Sequence, residues 1–111
     1  MDMNEGKQGE YTVLALGGEI DAKAAPGFQE KIQGLLDGGV TNLLLDMADL
    51  SYVSSAGLRV FLFTAKKIHR AGGHLRLVGP RELVKNVFVM AALDSMFAFF
   101  GSQDEAVKAL G

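Results

Sequence analysis

The sequence predicts an α/β fold, a mixed and largely parallel sheet of about four or five strands packed by about four or five helices. Three observations carry that expectation. Apolar residues alternate or run on over short stretches at residues 11–16, 42–46, 74–78 and 96–100, as strands require. Between these stretches apolar residues recur at helical spacing. The two kinds of stretch take turns along the chain, the pattern of strands joined by helical crossovers.

Each element has its own local reason. Residues 11–16 (YTVLAL) alternate around β-branched and aromatic side chains and are expected to end at Gly17 and Gly18. The polar residues 1–9 before them are read as loose or as an edge strand. Pro26 stands where a first helical turn begins, since its missing N–H costs nothing there. Phe28, Ile32, Leu35 and Leu36 give that helix one apolar face, and Gly38 and Gly39 end it. Residues 42–46 are apolar on both faces and predict a buried central strand. Residues 47–54 read as a loop, with Asp46 ending the strand and Asp49 a turn residue.

A second helix starts near Ser55, with Leu58, Phe61, Leu62, Ala65 and Ile68 as its core stripe and Gly72 and Gly73 closing it. Lys66, Lys67, His69 and Arg70 crowd its last turns, where the helix dipole favours cations. Val60 and Phe63 fall outside the stripe. They form either an interaction patch beside the serines or a contact with a neighbouring helix, and the latter is the expectation for Phe63 because large aromatics are mostly buried. Residues 74–78 form a strand. Pro80 opens a third helix with Leu83, Val84, Val87 and Ala91 inward. Residues 96–100 form a last strand. Ser102 and Glu105 make a capping box for a final helix through Val107 and Leu110.

Composition bounds the function. With 111 residues, of which 49% are hydrophobic, the chain suits one domain, residues 1–111, with its own core. Eleven basic against 13 acidic residues leave a net charge of −2. That provides no basic footprint for nucleic acid and no polybasic membrane surface. The absence of cysteine excludes disulfides, thiolate metal sites and thiol catalysis, and it fits the cytoplasm. The apolar run at 84–100 is interrupted by Lys85, Asn86, Asp94 and Ser95, so no membrane insertion is expected.

Catalytic patterns are missing. There is no G-x-S-x-G elbow, no phosphate-binding loop and no dinucleotide fingerprint. His69 and His74 have no partner at metal-ligand spacing and are read as surface or capping residues. No metal and no cofactor is expected. The one unusual feature is the pair Ser54 and Ser55 where the chain turns into a helix. Either serine serves as a helix cap. Equally, a helix start has free N–H groups and a positive dipole end that suit an anion. A phosphoryl group there adds about −1.5 to −2 charge units without disturbing the fold.

Several segments, taken in order, resemble the STAS family of anti-sigma factor antagonists over nearly the whole chain. Gly18-Glu19-Ile20-Asp21 is similar to the family's G-E-[LI]-D. The stretch from Leu44 to Val53 is similar to its strand and following loop. Ser55, Gly57 and Leu58 match its D-S-[ST]-G-[LV] signature, while Ser54 and Ala56 depart from it. The resemblance implies a STAS fold and a protein that binds rather than catalyses. The unphosphorylated form would dock on an anti-sigma factor that is also a serine kinase and release its sigma factor. Phosphorylation of Ser55 would prevent docking, and a metal-dependent serine phosphatase would reset it. Ser54 is a second candidate acceptor. Asp21, Ser54, Ala56, Gly57 and Leu58 are the implied partner contacts. The family also contains constitutive STAS subunits of transporters or other regulatory complexes, in which Ser55 would be only a cap. Nothing in the pattern sets an oligomeric state.

Overall fold

The computed structural model describes residues 1–109, in the order β1 (Asp2–Gln8), β2 (Tyr11–Ile20), α1 (Ala25–Asp37), β3 (Asn42–Val53), α2 (Ser55–Arg70), β4 (His74–Val78), α3 (Glu82–Met90), a 3-10 turn at Asp94–Met96, β5 (Ala98–Phe100) and α4 (Gln103–Lys108). The five strands form one sheet in sequence order, β1-β2-β3-β4-β5. β1 is an antiparallel edge strand against β2, and every other pairing is parallel. The α/β architecture and mixed sheet are those predicted from sequence.

Successive strand residues face opposite sides of the sheet, so a strand buried on both faces must be apolar throughout. Leu43, Leu44 and Leu45 meet that demand, all at 0% exposure. Leu43 and Leu45 face the main core, built with Phe28 and Ile32 of α1, Phe61 of α2, and Val84 and Phe88 of α3. Phe61 stands edge-on to Phe28 and Phe88, with ring centroids 5.3 and 5.2 Å away, so one ring joins all three helices. Leu44 faces the other side, where Tyr11, Val13, Val78 and Ala106 form a smaller core under α4. Arg76 is buried there. It donates from Nη1 to the Ala106 carbonyl, and at 2.6 Å to the Ala109 carbonyl, with its guanidinium between the Tyr11 and Phe100 rings. It thus supplies cationic donors to the C-terminal carbonyls of α4.

Several boundaries differ from the sequence expectation. β2 does not stop at the glycine pair but continues to Ile20. Gly18 adopts φ +80°, a conformation without cost only for glycine, at a register shift in the β2–β3 ladder. β3 does not end at Asp46. It runs to Val53 because the prolonged β2 pairs with it through Gly17–Asp49, Gly18–Leu50 and Ile20–Val53. Asp46 therefore lies inside a strand, accepting the Ala48 N–H at 3.1 Å and the Gln103 side-chain amide at 2.7 Å. Asp49 lies in the same strand rather than in a turn.

Helical faces shift as well. In α2 the buried set is Gly57, Leu58, Val60, Phe61, Thr64 and Ile68. Leu62 and Ala65 are only half-buried, because the helix packs against α1 as well as the sheet. Val60, placed outside the stripe by sequence, is 2% exposed, and Phe63 is half-buried against the main core. α3 starts two residues after Pro80, and its inward face is Val84, Val87 and Phe88. Leu83 points out at 76% exposure, and Ala91 is exposed at the helix end. The last strand is shorter than residues 96–100, since Met96 closes the 3-10 turn. α4 ends at Lys108, and the expectation for Leu110 lies outside the described residues.

Candidate functional site

The parallel ends of β2 and β3 set the start of α2. The Ser54 N–H donates to the Ile20 carbonyl at 2.8 Å, extending the ladder one bond past Val53. This holds Ser54 in an extended conformation, φ −81° and ψ 170°, as an N-cap requires. Its Oγ then accepts the Gly57 N–H at 3.1 Å, and its carbonyl accepts the Leu58 N–H at 2.9 Å. Ser54 is half-buried and serves as the cap. Ser55 falls at the first helical position and is exposed.

The next three residues are shaped by packing. A Cβ on Gly57 would lie 2.8 Å from Ile20 Cγ2 and 3.1 Å from Val53 Cγ1. Only glycine lets the helix start settle this closely on the strand ends. Leu58 is buried in the main core. Ala56 is half-buried and lines a groove of about 550 Å³ between α1 and α2. The groove is bordered on α1 by Ala25, Gln29 and Glu30, and on α2 by Arg59. Val60 forms part of its floor, so it is not an exposed patch beside the serines.

Asp21 follows Ile20, whose carbonyl holds Ser54, so the chain brings it to the same edge. It is exposed, and its carboxylate accepts the Ala24 N–H at 2.8 Å, fixing the turn into α1. The structure thus gathers Asp21, Ser54, Ser55 and Ala56 around one end of α2, with Gly57 and Leu58 beneath them. Tyr52, at 45% exposure, is the penultimate residue of β3. The first turn of α2 contains no acidic residue, so nothing on the helix itself neutralises its positive end. Arg59 and the groove were not singled out from sequence. The signal was the four-residue spacing between Ser55 and Arg59.

His69 and His74 are exposed, with His69 at the far end of α2 from Ser55. Among the described residues no group of three or more His, Cys, Asp or Glu side chains is arranged to hold a metal ion. None of the described helices is long and apolar enough to cross a membrane.

Comparison with known proteins places the chain in a family and a fold. The family model described as "STAS domain" matches residues 3–106. The Anti-sigma-B factor antagonist of Bacillus subtilis is 31% identical over 103 residues, 92% of this chain and 94% of the relative. BtrV of Bordetella bronchiseptica, provisionally named an anti-sigma factor antagonist, is 31% identical over 97 residues, 87% of this chain and 84% of the relative. The fold is shared with SpoIIAA of Bacillus. Its unphosphorylated form superposes with a TM-score of 0.80 at 22% identity, covering 96% of this chain and 93% of SpoIIAA. Its phosphorylated form gives 0.73 at 23% identity, covering 96% of each chain.

Proposed function

The chain belongs to the STAS domain family, and from that premise we propose that it is a protein-binding switch of the anti-sigma factor antagonist type, controlled by phosphorylation of Ser55. The unphosphorylated form binds an anti-sigma factor that is also a serine kinase, so that the kinase lets go of its sigma factor. The kinase transfers the γ-phosphoryl group of a nucleoside triphosphate to Ser55 Oγ, which gives up its proton as the nucleoside diphosphate leaves, and the modified protein no longer binds. A metal-dependent serine phosphatase restores the hydroxyl. The protein is a binding partner rather than a catalyst and acts in the bacterial cytoplasm. Of the five residues expected at the partner surface, Asp21, Ser54 and Ala56 contact the partner, while Gly57 and Leu58, both buried, shape that surface from beneath.

One observation carries this reading. Capping is done by Ser54, which leaves Ser55 exposed at the start of a 16-residue helix with no acid in its first turn. A serine engaged as the cap would be a poor acceptor, because its oxygen is already bonded to the backbone. An exposed one at this position takes a phosphate that the helix dipole tolerates. The added charge changes the surface without unfolding the chain. The names of the B. subtilis relative and of the two SpoIIAA structures support the same reading.

The test is the intact mass of the protein purified from its native host, with the modified residue mapped, together with binding by Ser55→Asp. The expected result is a phosphate on Ser55 and loss of partner binding in the variant. An unmodified chain in every growth condition, held in a complex that Ser55→Asp leaves intact, would instead identify a constitutive subunit of a transporter or other regulatory assembly.

A further inference from the structure

We propose that Arg59 is the intramolecular partner of a phosphate on Ser55, and that this pairing withdraws the cation of the α1–α2 groove. The inference rests on the reading of Ser55 given above. Ser55 and Arg59 are residues i and i+4 of α2. Their side chains leave one face of the helix a turn apart, with Cβ atoms about 5–6 Å from each other. Both are exposed. Helical side chains lean toward the N-terminus, so the guanidinium is carried toward Ser55 rather than away from it. Its planar fork of donors matches phosphate oxygens, and such charge-assisted bonds are stronger than neutral ones.

In the unmodified protein the same side chain lines the groove. Among the lining residues Arg59 is the one cation and Glu30 the one anion. Pairing Arg59 with a phosphate removes the first and leaves the second. Phosphorylation therefore acts on the groove twice. It adds negative charge at the rim, and it engages the guanidinium that an acidic group on a partner would otherwise meet. The turn between β2 and α1 brings Asp21 and Lys23 to the same end of the molecule, and Glu19 precedes them on β2. Lys23 is exposed and offers a control of equal charge.

The experiment installs phosphoserine at position 55 during synthesis, so it does not depend on any kinase. The second ionisation of the phosphate is then followed by phosphorus NMR from about pH 4 to pH 8, bracketing the value near 6 of a free phosphoserine. A nearby cation favours the dianion, so the wild-type midpoint is expected about 0.15–0.4 pH unit below that of Arg59→Gln. Lys23→Gln, with the same change in net charge, is expected to titrate with wild type. The Arg59 Nε–H resonance should move through the same pH range. Arg59→Gln titrating with wild type, or Lys23→Gln moving the midpoint as far as Arg59→Gln, would overturn the pairing. Absence of phosphate on Ser55 in the native host would count against the switch itself and leave this measurement intact.

Discussion

Ser54 and Ser102 do the same work at the starts of two helices. Ser54 accepts the Gly57 N–H of α2 at 3.1 Å, and Ser102 accepts the Glu105 N–H of α4 at 3.2 Å. Beyond the caps the two first turns differ. α4 fills its own with Asp104 and Glu105. The Glu105 carboxylate reaches back to the Gly101 N–H at 3.3 Å, and Asp104 accepts the Gln8 amide at 2.9 Å. Gln103 ties the same turn to Asp46. α2 has Ser55, Ala56 and Gly57 in the equivalent places, all small and uncharged. The helix dipole of α4 is therefore neutralised by the chain itself, whereas that of α2 is left open at the surface. A serine cap is common to both, so the cap does not mark a site. What sets α2 apart is an exposed hydroxyl after the cap, on a first turn the chain has left uncharged.

Substitutions at matching positions test how deep the difference runs. The largest effect is expected for Gly57→Val, about 2–3 kcal/mol of lost stability in urea unfolding, because the new side chain overpacks Ile20 and Val53. Glu105→Val, at the same position of α4, should cost about 0.3–1 kcal/mol. Equal losses at the two positions would mean that close approach does not set the start of α2. Next comes Ser54→Ala, expected to cost about 1 kcal/mol. Ser55→Ala should stay within about 0.5 kcal/mol of wild type, as surface changes do. A larger loss from Ser55→Ala than from Ser54→Ala would reverse the assignment of the cap. Ser102→Ala is expected near the low end for caps, about 0.5 kcal/mol, with hydrogen exchange at the Glu105 amide as the local readout. The smallest change belongs to Ser55→Asp. Its melting curve should lie close to that of wild type, with a slight stabilisation from the helix dipole, while partner binding is expected to be lost.

The helix starts also show how far the sequence can be read. Both Ser54–Ser55 and Ser102–Glu105 were visible as helix-start signals. Which serine of the first pair caps was not, because the choice is made by the hydrogen bond from the Ser54 N–H to Ile20, 34 residues earlier in the chain. The far half of β3 was hidden for a related reason. Met47, Leu50 and Val53 are its buried residues, and a spacing of three is neither strand nor helix period. The ladder accommodates that spacing through register shifts against β2. In α2, Leu62 and Ala65 are less buried than a single apolar stripe predicts, because the helix has a second neighbour in α1. α1 claims Val60 as well.

Local chemistry determined the α/β class, the order of most elements, the buried central strand, the capping residues of α2 and α4 as candidates, and the motif that resembles the STAS signature. These follow from side-chain periodicity and from backbone preferences that act over a few residues. Tertiary structure alone decided where β2 and β3 end, which serine is left free, and that Arg59 borders a groove shared with α1. Each of those depends on hydrogen bonds or packing between segments distant in sequence, and no local pattern encodes the register in which such segments meet.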